Sequence, residues 1–73
     1  MAEHNVSLVW DADVGVWIAT SEDIAGLVLE GGSLDALIEQ VRFAAPELLA
    51  LDHVPGADVT LCFRSERRES IAA

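Results

Sequence analysis

Lysine is absent from the 73 residues, and four arginines face 13 Asp and Glu, leaving a formal net charge of −9. Phosphate binding rests on clustered Lys and Arg, so nucleic acid is excluded as the main ligand and direct DNA binding is not expected of this chain. Cys62 stands alone, so no internal disulfide can staple the fold. The start, Met1-Ala2-Glu3-His4-Asn5, has no basic region leading into an apolar run, so no signal peptide is expected. No apolar stretch approaches the roughly 18 residues that span a bilayer. The expectation is a soluble, cytoplasmic chain with no membrane contact. Without repeats, low-complexity tracts or linkers, it reads as one domain over residues 1–73, with a core at about 4–63 and a polar tail at 64–73.

Apolar residues are what the chain has in excess: 52% of the total, with a mean hydropathy of +0.36. A domain this small buries only about 60% of its unfolded surface. With no disulfide and no obvious metal site, one core supplies roughly 3–5 kcal/mol. The surplus apolar surface therefore predicts association, with further copies as a dimer or larger oligomer, or with another protein.

Alternation places Val6, Leu8 and Trp10 on one face of a first strand at 4–10. Asp11-Ala12-Asp13-Val14-Gly15 has the residues of a hairpin turn. A second strand at 15–20 and a third at 26–30 (Gly26-Leu27-Val28-Leu29-Glu30) are apolar on both sides, so the sequence leaves open which set faces the interior. Ser33 is the expected N-cap of a helix carrying Asp35 in its first turn. Leu34, Leu37, Ile38, Val41, Ala45 and Leu48 share one side of it, while Ala36, Glu39, Phe43 and Ala50 share the other. Pro46 is expected to kink the helix or to start a short second one. A turn at 53–56 leads to a fourth strand at 57–63, with Val59, Leu61 and Phe63 aligned. The fold class is α+β, in the order β-β-β-α-β: an antiparallel sheet of three to four strands with one helix on one face. One helix shields one face only, and the other predicts an interaction surface.

Chemistry is sparse. Asp11, Asp13, Glu22 and Asp23 are the densest carboxylates, but Asp supports turns by bonding its own backbone, and no metal-binding loop spacing accompanies them. His4 and His53 lack the paired spacing of zinc ligands. Cys62, between Leu61 and Phe63, reads as an inert thiol with only Arg64 nearby. No nucleophile triad, phosphate-cradling loop or dinucleotide fingerprint is present. The expectation is no catalytic residue, no metal and no cofactor. Arg64, Arg67 and Arg68 against Glu66 and Glu69 give the last ten residues a net of +1, so the first 63 carry −10. A solvated, partly disordered end is the expected state of this tail. Phe43, on the polar side of the helix, is either an incidental surface apolar or an assembly contact.

The string Trp10-Asp11-Ala12-Asp13-Val14-Gly15-Val16-Trp17-Ile18-Ala19-Thr20-Ser21-Glu22-Asp23-Ile24-Ala25-Gly26-Leu27, with Gly32-Ser33-Leu34-Asp35-Ala36-Leu37 and Pro46-Glu47-Leu48-Leu49, resembles a small bacterial domain family of unknown function. That family is similar to the N-terminal domain of HicB-type antitoxins, and the resemblance covers about residues 4–63. Family members often carry Pro where Ala25 stands here. The resemblance implies a β-β-β-α-β domain, a partial relative of the ribonuclease-H-like fold without working catalytic carboxylates. It also implies an antitoxin role, masking a small basic RNA-cleaving toxin. The C-terminal DNA-binding segment of such antitoxins has no counterpart in the ten residues after the fourth strand.

These observations predict a non-catalytic, antitoxin-like protein-binding module that self-associates. The expected contact surface is the sheet face away from the helix together with the sheet edges. Trp17 and Leu27 or Leu29 are the leading anchors, and Phe43 is a further contact. The alternative is a free-standing homo-oligomer with a structural or small-ligand role and no toxin. A metal-dependent nuclease has only Asp11, Asp13 and Asp23 in its favour.

Overall fold

The computed structural model describes residues 2–52 and 59–72. The chain runs β1 (Ala2–Asp11), β2 (Val16–Thr20), β3 (Val28–Gly31), α1 (Leu34–Leu51), β4 (Val59–Glu66). The strands form one sheet in the order β3-β2-β1-β4. β1, β2 and β3 make the expected antiparallel meander, but β4 pairs parallel to β1, from Ala2↔Val59 to Val9↔Glu66. The sheet is therefore mixed, where the sequence suggested antiparallel pairing throughout. A parallel neighbour needs a long crossover, and α1 provides it by carrying the chain from one edge of the sheet to the other. The turn expected at 53–56, with His53 in it, and residues 57 and 58 of the expected fourth strand lie outside the described residues.

The β1–β2 hairpin is closed by a main-chain bond from Gly15 N to Asp11 O at 2.8 Å, with Gly15 at φ 72°, a conformation that suits glycine. β2 stops at Thr20, which would leave the main chain of Asn5 without a partner. Side chains take over there. The Ser21 hydroxyl donates to Asn5 O (2.6 Å), and the Asp23 carboxylate accepts from Asn5 N (2.7 Å). Ser21 Oγ also accepts from the main-chain N–H groups of Asp23 and Ile24. The segment this fixes drives Ile24 and Leu27 into the core at 0% and 2% exposure. Gly26, at φ 84°, makes that turn possible.

Strand alternation sorts the rest. Register pairs Leu8 with Ala19, Ala19 with Leu29, and Trp10 with Trp17, all on the side toward α1. His4, Val6 and Leu8 are buried there, facing Leu61, Phe63 and Ser65 of β4. The helix contributes Leu37, Val41, Ala45 and Leu49, an i, i+4 stripe of which Leu49 extends the expected face. Ser33 caps it by accepting from Ala36 N. Pro46 neither breaks α1 nor starts a second helix: the element runs unbroken for 18 residues. Pro46 and Arg42 both lie on the exposed side, so water can satisfy the Arg42 carbonyl that Pro46 leaves without a donor. α1 makes its closest approach to β2 and β3. On both outer strands the inward residues, Leu29 on β3 and Val59, Leu61 and Phe63 on β4, are only half-buried.

Candidate interaction surface

The β3 side of the sheet combines three features. β3 is an outer strand whose second backbone edge pairs with no other strand among the described residues. Beside it, Leu29 and the α1 residues Glu39, Gln40, Phe43, Ala44 and Glu47 line an open groove of about 530 Å³. Phe43 is 81% exposed, and the i, i+4 stripe Glu39-Phe43-Glu47 sets an aromatic ring between two acids. Arg42, the one base on the helix, is already paired with Glu39 at 2.7 Å. Glu30 and Val28 (71% exposed) project from β3 on the opposite face.

The structure moves the expected anchors. Trp17 is 8% exposed and Leu27 2%, both inside the core, and Leu29 is half-buried on the helix side. None of the three projects from the face away from α1. The cause is register. Trp17 is held opposite Trp10 on the inward side, and Leu27 precedes β3 instead of belonging to it. On the far face, Val9 and Ile18 stand side by side between Glu66 and Glu30, a small apolar island with a carboxylate at each end. Of the residues singled out from sequence, Phe43 is the one placed on the surface as expected.

The acidic residues act as turn chemistry. Asp11 Oδ1 accepts from Asp13 N at 3.0 Å, and Asp23 is engaged by Asn5. Asp11 and Asn5 stand at separate places on β1, about 20 Å apart at roughly 3.3 Å per residue. The three carboxylates a nuclease would need are thus not brought together. Among the described residues, no group of three or more His, Cys, Asp or Glu is placed to hold a metal ion. His4 is buried, and its Nδ1 has no hydrogen-bond partner among the described residues. Cys62 is half-buried on the outward face next to Asn5. A polar cleft on that face gathers Ser7, Thr20, Ser21, Asp23 and Arg64, but Ser21 and Asp23 are already occupied with Asn5.

The tail is not the free end that its composition suggested. β4 extends to Glu66, in register with Val9, so the next residue arrives beside Trp10. Arg67 Cζ sits 4.0 Å from the Trp10 ring centroid and 6.0 Å from that of Trp17. The two indoles pack edge-on at 5.5 Å. Arg67 also pairs with Glu69 at 2.6 Å, and Arg68 with Glu66 at 2.9 Å. Sequence reasoning missed this contact because its signal is the parallel register of β4 on β1, which brings the two residues side by side.

The family model described as a domain of unknown function, DUF1902, matches residues 3–72. Among solved structures, the chain is similar to the hypothetical protein TTHA1013 from the extremely thermophilic bacterium Thermus thermophilus. The two share 31% identity and a TM-score of 0.82, over 94% of this chain and 99% of that one. No functionally curated protein matches the chain.

Proposed function

We propose that this chain, which belongs to the DUF1902 family of domains of unknown function, is a non-catalytic protein-binding module that also self-associates. Its partner in this reading is a small basic protein, masked in the manner of an antitoxin. The observation that carries the reading is Phe43, exposed between Glu39 and Glu47 and beside the open edge of β3, in a chain of net charge −9. A solvent-exposed aromatic ring next to a groove is the type of residue that anchors an interface when covered. The surrounding carboxylates attract a basic protein at long range and disfavour an acidic one. An RNA-cleaving toxin, which must be basic to hold its own substrate, has the required charge.

Co-purification from the native host, with identification of what is bound, tests the proposal. A small Arg- and Lys-rich protein is expected, encoded next to this chain and released by Phe43→Ala. Recovery of no such protein, or binding indifferent to Phe43, contradicts the reading. The second reading is a homo-oligomer of structural or small-ligand role with no toxin. It is favoured by the half-covered flank of β4, where Val59, Leu61 and Phe63 pack against the core but keep part of their surface exposed.

A further inference from the structure

The two outer strands differ in the partner they fit. Around β3 the groove and its surroundings offer Glu30, Glu39 and Glu47, with Arg42 already neutralised by Glu39. Two copies meeting there would oppose carboxylate to carboxylate. Around β4 the charge is mixed: Arg64, Glu66, Arg67, Arg68 and Glu69 give residues 64–69 a net charge of +1 in a chain of −9. β4 is also the longer edge, eight residues against four. Its inward apolar side chains, Val59, Leu61 and Phe63, pack against the core but are only half-buried. An open strand edge of that length is a template for pairing unless charges, prolines or a cover protect it. From Val59 to Phe63 the strand carries no charge and no proline.

We infer that β4 is the self-association edge, pairing antiparallel with β4 of a second copy about a twofold axis at Cys62 to join two four-stranded sheets into one. The inference rests on the self-association part of the proposed function. An axis perpendicular to the sheet keeps both helices on one side, and side-chain alternation then limits the possible registers. Centring on Cys62 sets each Leu61 opposite Phe63 of the second copy, on the side where both are half-exposed. On the other side it sets Arg64 opposite Thr60, and the two Cys62 thiols face each other. Moving the axis to Arg64 would oppose two guanidinium groups, and moving it to Phe63 would pair Leu61 with Ser65. Each α1 makes its closest approach to β2 and β3 of its own copy, on the side away from the seam, and the acidic β3 edges end up at the far ends of the joined sheet.

Analytical ultracentrifugation of the full chain at about 5 µM to 1 mM, a range wide enough to reveal a weak dimer, tests this, with Cys62→Lys and Cys62→Ser compared. The expected result is a species of twice the 7.8 kDa chain mass for the wild type and for Cys62→Ser. For Cys62→Lys, which opposes two ammonium groups at the axis beside Arg64, the dissociation constant should rise about tenfold or more. An unchanged far-ultraviolet circular dichroism spectrum shows that the Cys62→Lys variant folds. A measurement independent of any variant is mild diamide oxidation. Thiols directly opposed across an antiparallel pair have Cα atoms about 4.5–5.5 Å apart, inside the range a disulfide accepts. The wild-type dimer should therefore convert to a disulfide-linked dimer. A dimer that neither weakens on Cys62→Lys substitution nor cross-links on oxidation overturns the β4 seam and leaves self-association through another surface standing. A chain that stays monomeric across the whole range overturns both. Neither result touches the basic-protein groove, which lies at the opposite edge.

Discussion

The sheet ends in two unlike strands, and the contrast between them explains most of how this small domain is organised. β3 has four residues, lies beneath α1 and is framed by carboxylates. β4 has eight residues, lies farther from the helix backbone and carries mixed charge. A single helix of 18 residues cannot roof four strands equally. Its closest approach is to β2 and β3, and Val59, Leu61 and Phe63 on β4 stay half-buried. The surplus apolar surface read from composition is therefore not spread evenly over a back face. It lies at Phe43 and Leu51 on the helix, at Val9, Val14 and Val28 on the hairpin and sheet, and in the half-buried side chains of β4.

The sharpest way to break this comparison is to truncate a core residue on each side. Leu37, fully buried under α1, should cost about 3 kcal/mol of stability as Leu37→Ala, in line with large-to-small changes in tight cores. Leu61→Ala, half-exposed on β4, should cost about half that in dilute monomer, and urea denaturation of the two variants decides it. Equal losses would mean that the helix covers both halves alike. Phe43→Ala should weaken binding of the basic protein by about 2 kcal/mol, near thirtyfold by titration calorimetry, while stability moves by less than about 0.5 kcal/mol. A loss of stability without a loss of binding would make Phe43 a packing residue. Ser33→Ala removes the cap that accepts from Ala36 N and should cost about 1 kcal/mol in thermal unfolding, since the cap anchors the β3 side alone. Arg67→Ala should cost the least, about 0.5–1 kcal/mol, and change the Trp fluorescence, because the guanidinium lies over Trp10. An unaltered emission spectrum would show that Arg67 does not rest there in solution.

Local rules made much of the fold legible. The alternation of Val6, Leu8 and Trp10, the Asp-Gly turn, the Ser33 cap and the apolar side of α1 each follow from a few neighbouring residues, and the structure has all of them. What could not be read depends on contacts between distant segments. The parallel pairing of β4 has no local signature, and it alone places Arg67 on Trp10. Leu27 sits among strand-forming residues, yet Ser21 and Asp23 bond back to Asn5 and hold it in a turn, which converts an expected surface anchor into core. Trp17 was ambiguous because β2 is apolar on both sides, and only its pairing with Trp10 decides which way it points. Phe43 was legible because helical phase alone fixes it. It stands about 200° round the helix from Val41, and nothing else among the described residues covers it.

Residue-resolved amide hydrogen exchange of the chain, free and bound to the basic protein recovered with it from its host, tests the division of labour between the two edges most directly. Binding should slow exchange in Val28–Gly31 by about tenfold or more, the effect of a local stabilisation of roughly 1.4 kcal/mol, and leave Val59–Glu66 unchanged. Protection that appears in β4 while β3 exchanges as in the free chain would contradict it.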